Sequence, residues 1–110
     1  MDLYKNSEIT VHELKKRLDL DKNIQILDVR EDSERKHVAI KQSIHIKLSE
    51  LEKRYLELKL DENVFVMCHT GVRSHAVVSW LKSKGYINAV NVLGGIDAWS
   101  ALVDTSLRRY

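Results

Sequence analysis

The chain has 110 residues, 44% hydrophobic and 31% charged, with a formal net charge of +2. That is enough for one domain's core and too little for two. Acidic and basic residues are mixed along the chain, which argues against a nucleic-acid surface, and no apolar run approaches the roughly 20 residues that span a bilayer.

The N-terminal stretch Met1-Asp2-Leu3-Tyr4-Lys5-Asn6 lacks the basic-then-apolar pattern of a signal peptide, so a cytoplasmic location is expected. Thr10-Val11-His12-Glu13 has the form of a capping box, and Val11, Leu14 and Leu18 recur at helical spacing, which predicts a helix from about Val11 to Leu18. After a polar break from Asp19 to Asn23, Ile24 to Val29 reads as a largely buried strand with Asp28 and Arg30 at its C-terminal end. Glu31 to His37 is charged and reads as a short helix or turn. Ser43 to Ile46 is a short strand, and Ser49-Glu50-Leu51-Glu52 offers a second capping box opening a helix through about Leu58.

Val64 to Met67 is a third apolar strand, and it stops at Cys68, the chain's only cysteine. From Arg73 onward, Ala76, Val77, Trp80 and Leu81 form an apolar helix face, Lys82 and Lys84 lie near its end, and Gly85 stands where a helix-terminating glycine belongs. Ala89 to Leu93 reads as another strand, Gly94-Gly95 turns it into a short segment carrying Ile96, Ala98 and Trp99, and Ser100 to Tyr110 is weakly patterned. Trp80 and Trp99 read as packing residues, Lys15-Lys16-Arg17 as a solvated helix face and Arg108-Arg109 as a solvated tail. Strands alternating with helices at this spacing predict an α/β fold with a parallel sheet covered on both faces. In such sheets the crevice lies at the carboxyl ends of the strands, where the Cys68 loop and the Asp28/Arg30 pair both fall.

One cysteine makes neither an internal disulfide nor a cysteine-rich zinc site, and His12, His37, His45, His69 and His75 form no H-x-x-x-H pair on a helix face, so no metal site is expected. A free thiol remains. A turn that leaves a strand and enters a helix aims backbone N–H groups inward, and Gly71 permits it, so the loop favours a thiolate and an anion held beside it. A sulfane sulfur passed to Cys68 would give a persulfide whose anionic outer sulfur sits where the amides converge, with no cofactor required. A thiol or cyanide then attacks that sulfur and regenerates Cys68. Asp28 either hydrogen-bonds loop amides or pairs with a basic neighbour. The second is favoured, because an anion beside a thiolate opposes its formation.

At these residues the chain resembles the single-domain rhodanese family of sulfurtransferases. Cys68-His69-Thr70-Gly71-Val72-Arg73-Ser74 is similar to that family's Cys-x-x-Gly-x-Arg-Ser/Thr loop, Ile26-Leu27-Asp28-Val29-Arg30-Glu31 to its Leu-Asp-Val-Arg-Glu segment, and Gly85-Tyr86 through Val92-Leu93-Gly94-Gly95-Ile96-Asp97-Ala98-Trp99 to its closing pattern. The resemblance implies a rhodanese-like α/β fold, a mainly parallel sheet of about five strands with helices on both faces, as one domain over residues 1–110 with its core at about 8–100. It implies Cys68 as the sulfur-accepting nucleophile, the backbone of His69, Thr70, Gly71, Val72 and Arg73 as the cradle, and Asp28, Arg30 and Ser74 in support, with Arg30 bracing the structure. The implied substrate is thiosulfate, a persulfide or a polysulfide, with a protein as an alternative sulfur donor or acceptor.

One segment departs from the pattern: Val38-Ala39-Ile40-Lys41-Gln42-Ser43-Ile44-His45-Ile46-Lys47 stands where the family reads Gly-His-Ile-Pro-Gly-Ala-x-Asn-Ile-Pro. The glycines and prolines are gone, so the turn there takes a different geometry. A cysteine phosphatase or arsenate reductase is disfavoured by loop size. Those enzymes resemble Cys-x5-Arg around a tetrahedral oxyanion, whereas Cys68 to Arg73 is Cys-x4-Arg, a smaller ring suited to one sulfur atom. A persulfide carrier or a protein-interaction module is the stronger alternative. His69 reads as a rim residue and His75 as solvated.

Overall fold

Among the described residues five strands form a single sheet, all parallel, in the order β1-β5-β4-β2-β3. They are β1 (Glu8–Ile9), β2 (Gln25–Asp28), β3 (Ile44–His45), β4 (Val64–Met67) and β5 (Ala89–Val92). Each strand is followed by a helix, in turn α1 (Val11–Leu20), α2 (Asp32–His37), α3 (Leu48–Arg54), α4 (Val72–Ser83) and α5 (Gly95–Leu102). The computed structural model describes Tyr4 and residues 7–110, and apart from Tyr4 the reading of residues 1–6 lies outside them.

The two-residue alternation of a strand sorts the core into two halves. Ile26, Phe65, Met67, Val90 and Val92 face α1 and α5, where they meet Leu14, Leu18, Ile96 and Trp99. Leu27, Val64, Val66 and Ala89 face α3 and α4, where they meet Leu51, Val77, Val78 and Leu81. Burying one such side chain contributes roughly 1.5–3 kcal/mol before entropy is counted. Cys68 has the parity of Val64 and Val66, so its side chain turns toward α4 and joins the second cluster.

The helices form largely where the sequence places them. The Thr10 hydroxyl accepts the Glu13 amide at 3.2 Å, and α1 buries Val11, Leu14 and Leu18. At the far end of α4 the Tyr86 amide bonds the Leu81 carbonyl (3.0 Å) and the Gly85 amide that of Lys82 (3.1 Å), a Schellman closure at Gly85, φ +96°. Strand β1, too short to carry a pattern, is held at the sheet edge by the Leu93 amide on the Ile9 carbonyl (2.9 Å).

Three expectations are corrected. The capping box at Ser49 does not form: α3 is preceded by Lys47, which places Ser49 inside the first turn, and the helix gives way at Tyr55–Glu57 to a 3-10 turn. The reciprocal cap lies instead at Glu31, where the Glu34 carboxylate accepts the Glu31 amide at 2.8 Å. In α4 the buried stripe is Ser74, Val77, Val78 and Leu81, so Ala76 is exposed and Trp80 lies at the margin of the core, packed edge-on against Tyr55. A count of apolar residues misplaces that face because its first member is a serine.

The connection after β2 runs over one face of the sheet, burying Val38 and Ile40 against the α1 side, and α4 covers the other. Strands β2 and β4 are neighbours, with Asp28 opposite Met67, so the chain leaves their carboxyl ends in opposite directions and opens a crevice there.

Candidate active site

Cys68 follows β4 immediately and is only 1% exposed. The chain wraps around its sulfur. The Gly71 amide donates to Sγ at 3.1 Å and the Ser74 amide at 3.3 Å, and the Ser74 hydroxyl lies 3.3 Å away. Gly71 makes the wrap feasible, since it sits at φ +102° immediately before α4. Burial alone pushes the thiol up. The Ser74 hydroxyl and the amides of Ser74, Gly71 and Thr70 outweigh it and hold Cys68 below its ordinary value.

A loop with its amides inward must satisfy its carbonyls elsewhere. The first amides of α5 do this: Ile96 N–H bonds the Cys68 carbonyl at 2.9 Å and Asp97 N–H the His69 carbonyl at 3.0 Å. Gly95 lets the backbones approach, because a Cβ there would lie 2.3 Å from the Cys68 oxygen and 2.6 Å from that of His69. The Gly94-Gly95 pair is thus part of the loop's support, a role beyond the turn read from sequence.

Ser74 also reaches Asn91 Oδ1 at 2.5 Å, and Asn91 Nδ2 donates to the Gly71 carbonyl at 3.3 Å. A hydroxyl has one hydrogen. Directed at Asn91 it leaves Ser74 Oγ as an acceptor for the thiol, and turned toward Sγ it serves the thiolate. Asn91 escaped the sequence reading, although a buried amide in the strand Ala-Val-Asn-Val is itself a signal that a polar partner awaits it.

Asp28 and Arg30 stand at the neighbouring strand end as a buried pair, with side chains 2% and 0% exposed. Arg30 donates to both Asp28 oxygens (2.9 and 2.7 Å), to the carbonyls of Val38 (2.7 Å) and Glu34 (3.3 Å), and to the Tyr110 hydroxyl (3.0 Å). Burial pushes the Asp28 carboxyl up, but the bonds and charge of Arg30, with help from Arg35, leave it below its ordinary value. The pair braces the segment from α2 to β3. Its next turn needs no glycine: no residue from 38 to 47 has positive φ, and Ser43 is pinned by Arg35 at 2.5 Å and by the Ile40 carbonyl.

Arg73 projects to the rim, where it pairs with Glu34 through both terminal nitrogens at 2.8 and 2.7 Å. Tyr110 closes the other side: its ring stacks on His69 with centroids 4.0 Å apart and planes 8° from parallel, its carbonyl lies 2.6 Å from His69 Nε2, and its hydroxyl donates to Glu34 at 2.9 Å. Glu34 and Tyr110 were not singled out in the sequence; each lies far along the chain from the loop it touches. Arg108 and Arg109 are exposed, as the solvated-tail reading expects, and Arg109 adds a surface pair with Asp97 at 3.0 Å that draws the end of the chain back over the loop. Thr70 and Val72 contribute backbone to the loop, and Val72 is 77% exposed. His75 is exposed. Beside Arg73, an open groove of about 410 Å³ is lined by Leu48, Leu51, Glu52, Ala76, Val77 and Trp80. Among the described residues no helix is long and apolar enough to cross a membrane.

Comparison with known proteins agrees with this architecture. The sequence model of the Rhodanese-like domain family matches residues 10–102. The chain is 36% identical over 93 residues to the "Putative sulfur carrier protein YrkF" of Bacillus subtilis, covering 84% of this chain but only 50% of that protein. It is 34% identical over 92 residues to the "Putative sulfurtransferase YtwF" of the same organism, covering 84% and 88% of the two chains. The crystal structure of a rhodanese-like domain protein from Staphylococcus aureus superposes with a TM-score of 0.81 at 36% identity, covering 94% of this chain and 98% of that one. On this evidence the chain belongs to the family of rhodanese-like domains.

Proposed function

We propose that the protein is a rhodanese-type sulfurtransferase that moves a sulfane sulfur from thiosulfate or a persulfide or polysulfide donor to a thiophilic acceptor, cyanide or a thiol, through a persulfide on Cys68. The observation that supports this most is the convergence of the Gly71 and Ser74 amides and the Ser74 hydroxyl on a single buried sulfur. Relatives named as a sulfurtransferase and as a sulfur carrier support the same class of chemistry.

In the first step the Cys68 thiolate attacks the donor's outer sulfur. A new S–S bond forms, the donor's S–S bond breaks, and its electron pair departs with sulfite or a thiolate. In the second step the acceptor attacks the outer sulfur of the Cys68 persulfide, and the pair of the breaking bond returns to Cys68 as thiolate. No net oxidation occurs. The amides act by holding negative charge on sulfur without adding a fixed cation that would trap it. His69, Thr70, Gly71, Val72 and Arg73 supply the cradle, with Ser74, Asp28 and Arg30 in support.

Loop length weighs against phosphoryl chemistry, since Cys68 to Arg73 is one residue shorter than the Cys-x5-Arg ring that encloses a tetrahedral oxyanion. A carrier role, in which a partner protein loads or unloads Cys68, is favoured by the relative named as a sulfur carrier. Intact mass spectrometry after incubation with each donor tests the reading. The expected result is a gain of one sulfur atom, reversed by cyanide or thiol and absent in Cys68→Ser. A wild-type protein that gains no sulfur from any donor would overturn it. Turnover that needs a partner protein selects the carrier role.

A further inference from the structure

We propose that Glu34 is a specificity-determining residue: by pairing with Arg73 at the rim of the Cys68 loop, it withholds the cation that a dianionic leaving group requires, so the site prefers hydropersulfide donors (RSSH) to thiosulfate. The inference rests on the sulfur-transfer reading above and names the substrate class of that same site.

Arg73 stands next to Ser74, whose amide and hydroxyl touch the sulfur, so its guanidinium is the fixed positive charge closest in sequence to the reacting centre. Its engagement is two-pronged, with both terminal nitrogens on the two carboxylate oxygens, the geometry that makes arginine–carboxylate pairs directional. Glu34 is held as firmly from its other side. One oxygen accepts the Tyr110 hydroxyl (2.9 Å) and the other the Glu31 amide (2.8 Å), and its side chain is only 18% exposed. The contacts run as a closed contour from His69 through the stacked Tyr110 ring to Glu34 and on to Arg73. Glu34 stays ionised at any working pH, because the Arg73 bonds hold it at about 2 against burial. The nearby cation Arg109 is likewise paired, with Asp97.

The two donors differ in what this rim must tolerate. With thiosulfate, Cys–S⁻ and ⁻S–SO₃⁻ become Cys–S–S⁻ and SO₃²⁻, so three negative charges gather about the loop and a dianion must leave. With a hydropersulfide, Cys–S⁻ and RS–SH become Cys–S–SH and RS⁻, one negative charge in all, or Cys–S⁻ and RS–S⁻ become Cys–S–S⁻ and RS⁻, two, and in neither case does a dianion leave. Neutral amide dipoles suffice for the second reaction. The first calls for a net positive rim, which the Glu34 carboxylate cancels.

The test uses the full chain with cyanide as acceptor, comparing kcat/KM for thiosulfate with that for the hydropersulfide of N-acetylcysteamine, which carries no other ionisable group. Wild type is expected to favour the hydropersulfide at least tenfold or so. Glu34→Gln is expected to shift that ratio toward thiosulfate by about tenfold at low salt, mainly through KM, and to lose the shift at high salt as the freed charge is screened. Glu34→Asp, which keeps the charge, should keep the wild-type ratio. Equal or better use of thiosulfate by wild type overturns the proposal, whether or not Glu34→Gln folds. So does an unmoved ratio in a Glu34→Gln protein whose thermal melt shows it folded. Mass spectrometry of the same samples separates the two readings. If Cys68 takes up sulfur from both donors and the ratio does not move, only the role of Glu34 falls; if it takes up sulfur from neither, the sulfur-transfer reading falls with it.

Discussion

Two neighbouring strand ends hold negative charge in opposite ways. After β2, the Asp28 carboxylate is neutralised by the guanidinium of Arg30, in a pair removed almost entirely from water. After β4, the Cys68 sulfur is surrounded by amides and a hydroxyl, with the one adjacent cation turned outward onto Glu34. A permanent charge buried in a core needs a permanent counter-charge, because its desolvation is otherwise uncompensated. A charge that must appear, grow by one sulfur and disappear is better served by dipoles, which stabilise it without binding it irreversibly. The difference separates a brace from a reactive centre even where both sit in one crevice.

Replacing Arg30 strikes the brace. Arg30→Met leaves Asp28 buried with Arg35 at 3.2 Å and the residue-30 amide at 3.1 Å, so the loss should fall near the low end of the range for a broken buried pair, about 3 kcal/mol in urea unfolding. A change below about 1 kcal/mol would mean that Arg35 and the residue-30 amide suffice for the carboxylate and that the two strand ends are less different than they look. Ser74→Ala strikes the other side. It removes the hydroxyl but leaves the Gly71 and Ser74 amides, so the Cys68 pKa should rise toward the ordinary thiol value, read from the pH dependence of alkylation by iodoacetamide, with little loss of stability. An unchanged profile would show that the hydroxyl's hydrogen stays committed to Asn91.

The smallest effect is expected at the rim. The folded-state pKa of Glu34 lies at about 2, below its ordinary 4.5, so its contribution to stability is complete above about pH 5 and is lost as pH falls through 2. The stability advantage of wild type over Glu34→Gln should therefore shrink across that interval in urea titrations and stay flat above it. A difference that instead grows on acidification would show that Glu34 is strained in the folded state.

Much of the α/β frame was legible because its signals are local. The Thr10 cap, the apolar runs of β2, β4 and β5 and the glycine after α4 each act within a few residues. The cysteine loop was legible for the same reason: nucleophile, glycine, arginine and serine fall within one turn of chain. What escaped depends on the third dimension. Glu34 reaches Arg73 across 39 positions and Tyr110 reaches His69 across 41, so only the crevice between β2 and β4 makes them neighbours. Ser49 shows the reverse error, a good local cap overridden where the chain enters α3 two residues earlier, at Lys47, whose side chain is tied to Asp32 at 2.8 Å. Ser74 is the instructive case, since its polarity disguised the buried face of α4 while serving the sulfur beneath it.

The suspension of the Cys68 and His69 carbonyls from the first amides of α5 also limits how this loop can be remodelled. An extra residue placed in the loop, as a larger oxyanion would demand, has nowhere to go without shifting α4 or breaking the register between those carbonyls and Ile96 and Asp97. Because Gly95 leaves no slack, ring size here is inherited from the seating of a helix 28 residues downstream. Enlarging the ring therefore means redesigning two stretches of backbone together, and single insertions are expected to fail.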